Sequence, residues 1–478
     1  MIFTTYKFVL LFLPTVLVVY YVFNHFKWFS LSKFWLIIAS FYFYSQGTPD
    51  FFPFFMGSVF GNYMVGTTLG KMDPEHKVQR KLLCLIGILG NVALLGYYKY
   101  TDFFIENTNA IFGTDYELQH IVLPIGISFF TFQLIAYIVD SYRQLTKDYN
   151  ILDYLLFITF FPQLIVGPIV HHSEMVCQFE NEDNLRLKPE NLSFGLFLFA
   201  LGAAKKMFLA DTMSTDAQLF FDGVDSLDKI PMLSSWYYSL EYAVAYYFDL
   251  SGYADMAIGM GAMFNIKIPE NFNSPLKARD FQDYWKRWHM TLSRFLGDYI
   301  FRNVYKKGVK YRNYYVATMV TFFVSGFWHG SGWNFVIWGI VNGALVCIAS
   351  WMNRKKIHIP VVPAVAVTLM FVTITRALFV STDLTQAWHV IESMFDIRYM
   401  YGDANVSRWV QIGTFFEENV HNIIMVACSL LWAWFLPNSS QIASKFRRTR
   451  FSVILTIVLL GACILNMDKV VQFLYFQF

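Results

Sequence analysis

Apolar runs of membrane-crossing length recur along the chain, at about 5–24, 29–45, 51–70, 82–100, 119–139, 192–210, 233–250, 358–380, 418–437 and 451–467. Each is continuous and long enough to cross a hydrocarbon layer of about 30 Å as a helix. The alternation over about ten residues that marks a membrane β-barrel does not occur. Less regular apolar stretches lie at 153–170, 251–265 and 314–351. The pattern predicts an all-α polytopic membrane protein with roughly 10–12 transmembrane helices. Loops are short, and there is no internal repeat or soluble domain of any size. We therefore expect a single membrane domain over 1–478.

Lysine and arginine in the short loops predict orientation. Basic clusters lie at 71–81, 143–147, 277–287, 302–312, 354–356 and 445–450, and acidic loops at 101–118, 211–230 and 381–418. With the basic loops in the cytoplasm, the segment at 192–210 must run outward. A full span at 153–170 would invert that order. The stretch Phe161-Pro162-Gln163-Leu164-Ile165-Val166-Gly167-Pro168 carries two helix-breaking prolines and a glycine. Such backbone at membrane depth must be sheltered by protein. Residues 153–170 are accordingly expected to form a re-entrant or broken element. The same walk leaves the tail 473–478 on the extracytoplasmic side.

Within 314–351, the run Phe322-Phe323-Val324-Ser325-Gly326-Phe327-Trp328-His329-Gly330-Ser331-Gly332-Trp333 sets a histidine among tryptophans and glycines. The nearest formal charges are Arg312 and Arg354. An ionisable residue there is costly unless it has a partner or a task. A plain helical hairpin puts His329 near the outer face, and bent helices would hold it deep. The sequence leaves both open.

A second polar centre is Phe281-Gln282-Asp283-Tyr284-Trp285-Lys286-Arg287-Trp288-His289-Met290-Thr291-Leu292-Ser293-Arg294-Phe295-Leu296. Trp285, Trp288, Leu292, Phe295 and Leu296 share one helical face, and the cations lie mostly elsewhere. This predicts an amphipathic interfacial helix over 278–300. Lys286 and Arg287, with Trp285 and Trp288, are candidates to meet the phosphates of a cytoplasmic donor. Asp249 and Asp255, in apolar surroundings, need donors. Pairing with basic residues of 277–294, or orienting a histidine, is expected. The pair His171-His172 lacks completing ligands at suitable spacing, so no metal site is expected.

Composition agrees. Hydrophobic residues make up 56% and charged residues 15%, with 51 phenylalanines. Soluble domains carry about 25% charged residues. A net charge of +3 gives no support for nucleic-acid binding, and the five scattered cysteines read as small buried hydrophobes.

Six blocks in order carry a resemblance to a known family. They are Pro124-Ile125-Gly126-Ile127-Ser128-Phe129-Phe130-Thr131-Phe132-Gln133, the 161–169 stretch, Asp249-Leu250-Ser251-Gly252-Tyr253-Ala254-Asp255-Met256-Ala257, Asn273-Ser274-Pro275, Tyr284–His289 and Gly326-Phe327-Trp328-His329-Gly330. The chain resembles the membrane-bound O-acyltransferases, and within them the bacterial alginate and peptidoglycan O-acetylation branch. The resemblance implies two active-site histidines, at His329 and His289, in a central tunnel through a bacterial cytoplasmic membrane. It implies acetyl-CoA as the acyl donor, a cell-envelope polysaccharide acceptor and a separate extracytoplasmic SGNH-type acetyltransferase or esterase partner. Related teichoic acid D-alanylation proteins work with a small partner that ends in an aromatic tail with a tyrosine. This chain itself ends Leu474-Tyr475-Phe476-Gln477-Phe478, which is similar to that tail. Tyr475 is thus an acyl carrier or acceptor, or else an interfacial aromatic. Acyl transfer to a hydroxyl needs a base, and a histidine suits that task. His329 is the candidate base. His289 would orient it, bind the thioester or stabilise charge.

Alternatives are D-alanyl transfer to teichoic acid, lipid or protein O-acylation with a long donor, and a transporter or flippase. Broken helices with buried ionisable residues also suit a transporter. Against that reading, no inverted repeat is visible.

Overall fold

A computed structural model describes residues 2–146, 149–402, 405–469, 471, 473 and 474, and its regular elements among them are all helices. Among the described residues, five helical stretches are long and apolar enough to cross a membrane: Lys7–His25, Lys77–Phe112, Pro189–Ser226, Trp333–Arg354 and Val361–Val380. Lys77–Phe112 shows the membrane logic. Leu82, Leu85, Ile86, Leu89 and Val92 are exposed, while Arg80 and Asn91 are buried. Such polar-in, apolar-out patterning is stable only against lipid, where buried polar groups must find partners inside. They do. Asn62 and Asn91 exchange amide hydrogen bonds of 3.1 and 2.6 Å, and Arg80 donates to the Tyr142 carbonyl at 2.6 Å. Gly113, with φ of 65°, ends the helix in the left-handed region.

The chain groups into two compact units of discontinuous segments. The first unit comprises Met1–Ala203, Tyr253–Pro269 and Phe446–Lys469, and the second Ala204–Gly252, Glu270–Lys445 and Val470–Phe478.

In the first unit, the predicted segment 119–139 is helical only from Ile127 to Tyr142. Pro124 and the left-handed Gly126 delay its start. The stretch 153–170 is broken. Helix Ile151–Thr159 stops at Phe160, Phe161–Leu164 makes one short turn, and every residue from Asp153 to Val170 is buried. Side chains satisfy the interrupted backbone, because Ser40 accepts from the Phe161 N–H at 3.2 Å and Gln163 donates to the Phe157 carbonyl at 2.7 Å.

The predicted segments at 233–250 and 251–265 are one helix, Met232–Met263. Gly252 does not interrupt it, since an isolated helix glycine costs only about 1 kcal/mol.

In the second unit, Tyr314–His329 and Trp333–Arg354 form a tight helical hairpin. Asn313 caps the first helix by accepting from the Val316 N–H at 3.0 Å. The two helices meet at Gly326 and Gly339, where a Cβ on Gly326 would sit 2.4 Å from the Phe335 carbonyl oxygen. Small residues there let the backbones touch. The predicted interfacial helix over 278–300 is instead two short helices, Phe281–Arg287 and Met290–Leu296, split at Trp288-His289. Trp288, His289, Leu292 and Phe295 are buried, so its apolar face packs against protein.

Candidate functional site

The break at His289 is built by its neighbours. Asp280 caps Phe281–Arg287 through the Asp283 N–H at 2.8 Å. His289 then takes φ of 45°, a left-handed conformation uncommon outside glycine. The preceding loop braces it. Asn271 accepts from the Met290 N–H through its carbonyl at 2.9 Å, and from the Thr291 hydroxyl through its side chain at 2.9 Å. The Asn273 N–H donates to the Arg287 carbonyl at 2.9 Å. Asn271-Phe272-Asn273 is the clamp that holds the strained residue.

His329 is the last residue of its hairpin helix and is 6% exposed. Gly330 follows in extended backbone, so its need for glycine is one of space. A Cβ there would come within 2.1 Å of the Phe335 ring. The His329 ring packs edge-on against Trp338 at 5.1 Å and Phe379 at 5.3 Å.

Both histidines line one small cavity of the second unit, with Trp285, Trp288, Trp338, Asn342 and Arg376. It has room for about one water molecule. Trp288 stacks between Tyr246 and Tyr284, with ring centroids 5.8 and 5.6 Å away. The Arg376 guanidinium lies 4.3 Å from the Tyr246 ring centroid and 5.6 Å from that of Trp288, within cation–π range. Among the described lining residues Arg376 supplies the one fixed charge, and its Nε has no hydrogen-bond partner among the described residues. Trp285 Nε1 is also without one. Burial pushes the His289 imidazole down to about 3, so it is neutral at physiological pH. A neutral imidazole accepts and donates, as acid–base work requires.

The structure thus brings His329, His289, Trp285 and Trp288 together. It does not bring Lys286 or Arg287. Lys286 is exposed, and Arg287 is tied to Asp283 at 2.7 Å and to the Asn273 carbonyl at 3.3 Å. Tyr475 lies outside the described residues. Sequence reasoning missed Arg376, although one cation inside the run Val361–Val380 was the signal for it.

Asp249 departs from expectation too. It pairs with Lys206 at 3.0 Å rather than with the 277–294 segment, and Lys206 also bonds Asp211. The other Asp249 oxygen accepts the Leu474 backbone N–H at 3.0 Å. Lys206 further donates to the Val471 carbonyl at 3.4 Å and lies 5.9 Å from the Phe473 ring centroid. Phe473 and Leu474 are each 1% exposed. The start of the tail is therefore docked on a buried ion cluster. His172, in the first unit, links Tyr149 (2.7 Å) to Asp140 (3.0 Å), and no metal-holding group of three occurs among the described residues.

The sequence profile of MBOAT, the membrane-bound O-acyltransferase family, matches residues 1–381. The chain belongs to this family. It is 39% identical over 428 residues to a peptidoglycan O-acetyltransferase of Helicobacter pylori, covering 82% of this chain and 80% of that protein. It is 33% identical over 407 residues to the probable alginate O-acetylase AlgI of Pseudomonas aeruginosa, covering 83% and 75%. A teichoic acid D-alanyltransferase of Bacillus subtilis is 28% identical over 270 residues, covering 53% and 68%. The chain is an O-acyltransferase and a multi-pass membrane protein. The transporter reading is thereby set aside.

Proposed function

We propose that this membrane-bound O-acyltransferase moves an acetyl group from cytoplasmic acetyl-CoA across the bacterial cytoplasmic membrane. The acceptor is a cell-envelope polysaccharide, peptidoglycan or alginate-like, reached with an extracytoplasmic SGNH-type partner. The observation that carries this reading is the convergence of His329 and His289 on one small, aromatic-walled cavity with a fixed cation. Names of relatives that cover most of the chain favour acetyl over D-alanyl.

In this reading His329 is the general base. It takes the proton of the acceptor hydroxyl as that oxygen bonds the thioester carbonyl carbon. The C–S bond breaks, and the proton passes to the departing thiolate of coenzyme A. Neutral His289 positions the reacting groups, and Arg376 offsets the negative charge developing on the carbonyl oxygen. The Trp285 N–H, without a partner among the described residues, is a donor available to the same oxygen. Lys286, with Arg287 beside it, faces the phosphates of the donor outside the cavity. Tyr475 is the hydroxyl that receives the acetyl group and hands it on at the outer face. Residues 153–170 re-enter the membrane without crossing it.

The test is envelope polysaccharide acetylation in cells that carry His329→Ala at equal protein level, with radiolabelled acetyl-CoA supplied to purified protein in parallel. Loss of both acetylation and protein labelling is expected. Undiminished polymer acetylation would sink the assignment. Label that persists with Tyr475→Phe would remove the carrier role alone.

A further inference from the structure

A second cavity lies away from the histidines. It occupies about 1090 Å³ in the first unit, among Lys7–His25, the loop before Pro189, Pro189–Ala204 and Arg450–Leu465. Leu13, Leu17, Leu196 and Leu460 give it apolar walls, and Val18 and Val22 on its margin are exposed. It is therefore a groove open to the lipid-facing exterior.

One end differs in kind. Asn24 lines the groove and is only 7% exposed. Neither its Nδ2 nor its Oδ1 makes a hydrogen bond of good geometry among the described residues, although the Tyr20 hydroxyl one turn earlier interacts with it. One hydroxyl cannot satisfy an amide with two N–H groups and two acceptor lone pairs. Lys27 and Arg186 line the same groove, are exposed, and make no ion pair among the described residues. His25 also lines it, and Glu182 is the one carboxylate among the described lining residues. Trp28, beside Lys27, is 54% exposed, as a residue at headgroup depth would be.

Lys27 and Arg186 sit in short loops that the distribution of basic residues assigns to the cytoplasmic side. Basic pockets between membrane helices on that side suit anionic lipid headgroups. Apolar walls, a buried amide in need of partners and two unpaired cations match the parts of one amphiphile. These are acyl chains, a glycerol ester carbonyl and a phosphate.

We propose that this groove is a binding site for an anionic glycerophospholipid of the cytoplasmic leaflet. The acyl chains lie between Leu13 and Leu460. The Asn24 amide donates to the ester or phosphate oxygens, and Lys27 with Arg186 neutralises the headgroup. The site is independent of the transferase chemistry.

The test uses the full chain, purified in detergent and stripped of lipid. Its melting temperature is followed as phosphatidylglycerol, phosphatidylcholine or glycerol-3-phosphate is added. Phosphatidylglycerol should raise the wild-type melting temperature more than phosphatidylcholine, and glycerol-3-phosphate should do nothing. Lys27→Ala/Arg186→Ala, at exposed positions that leave the fold alone, should erase the preference while both lipids still stabilise. Leu196→Trp, which fills the groove, should abolish both lipid effects. Equal stabilisation of the wild type by the two lipids would overturn the proposal. So would a preference that survives Lys27→Ala/Arg186→Ala, or a shift with glycerol-3-phosphate alone.

Discussion

Asp249 accepts the backbone N–H of Leu474 at 3.0 Å, across 225 residues of chain. Its other oxygen faces Lys206, so one carboxylate joins a buried cation to the start of the tail. Breaking a buried ion pair by removing one partner costs about 3–5 kcal/mol. Asp249→Ala should therefore lower the melting temperature and free the tail. Thermal unfolding and carboxypeptidase digestion of the purified protein check the two effects. Asp249→Asn, which keeps an acceptor for the Leu474 N–H, should protect the tail better than alanine does.

His329→Ala should cut acetyl transfer by about 10²–10⁴-fold, the usual contribution of a positioned base. The ring is confined by Trp338 and Phe379, so a smaller side chain leaves a void rather than a collapse. Single-turnover transfer measured beside the melting temperature separates lost chemistry from lost packing.

Gly330→Ala should destabilise by about 1–3 kcal/mol, as overpacking does. The added carbon meets the Phe335 ring, not backbone. Gly330→Ala combined with Phe335→Leu should therefore lose less than the sum of the two single changes. A double-mutant cycle on thermal stability reads that coupling.

His289 sets a pH dependence. Its ordinary value of 6.5 is pushed down to about 3 by burial. Between those values the unfolded chain binds the proton and the folded chain does not, so stability rises with pH. The wild type should lose stability as pH falls from 6.5 toward 3, and His289→Asn should flatten that part of the profile. Asparagine is the informative replacement because it tolerates the left-handed backbone at this position. Melting temperatures of both proteins across that range check the difference.

Helices of this fold were legible wherever hydropathy alone decides, as at Lys7–His25 and Val361–Val380. His329 was legible for the same reason: a polar atom in an apolar run stands out. What the sequence hid depends on distance. The split at His289 comes from Asn271 reaching across it, and an amphipathic face cannot distinguish lipid from protein as its partner. Arg287 looked free to meet phosphate until Asp283, one turn earlier, took its Nε. Lys206 and Asp249 lie far apart in sequence, so no local pattern could pair them.

The interleaving of the two units bears on how the protein is made. Residues 446–469 close the first unit, and the described residues 471, 473 and 474 belong to the second. A ribosome delivers these segments after the other segments of both units. Each unit thus waits unfinished until segments beyond residue 445 are made, and neither exists as a continuous fragment of the chain. A chain cut short anywhere before residue 446 leaves neither unit intact.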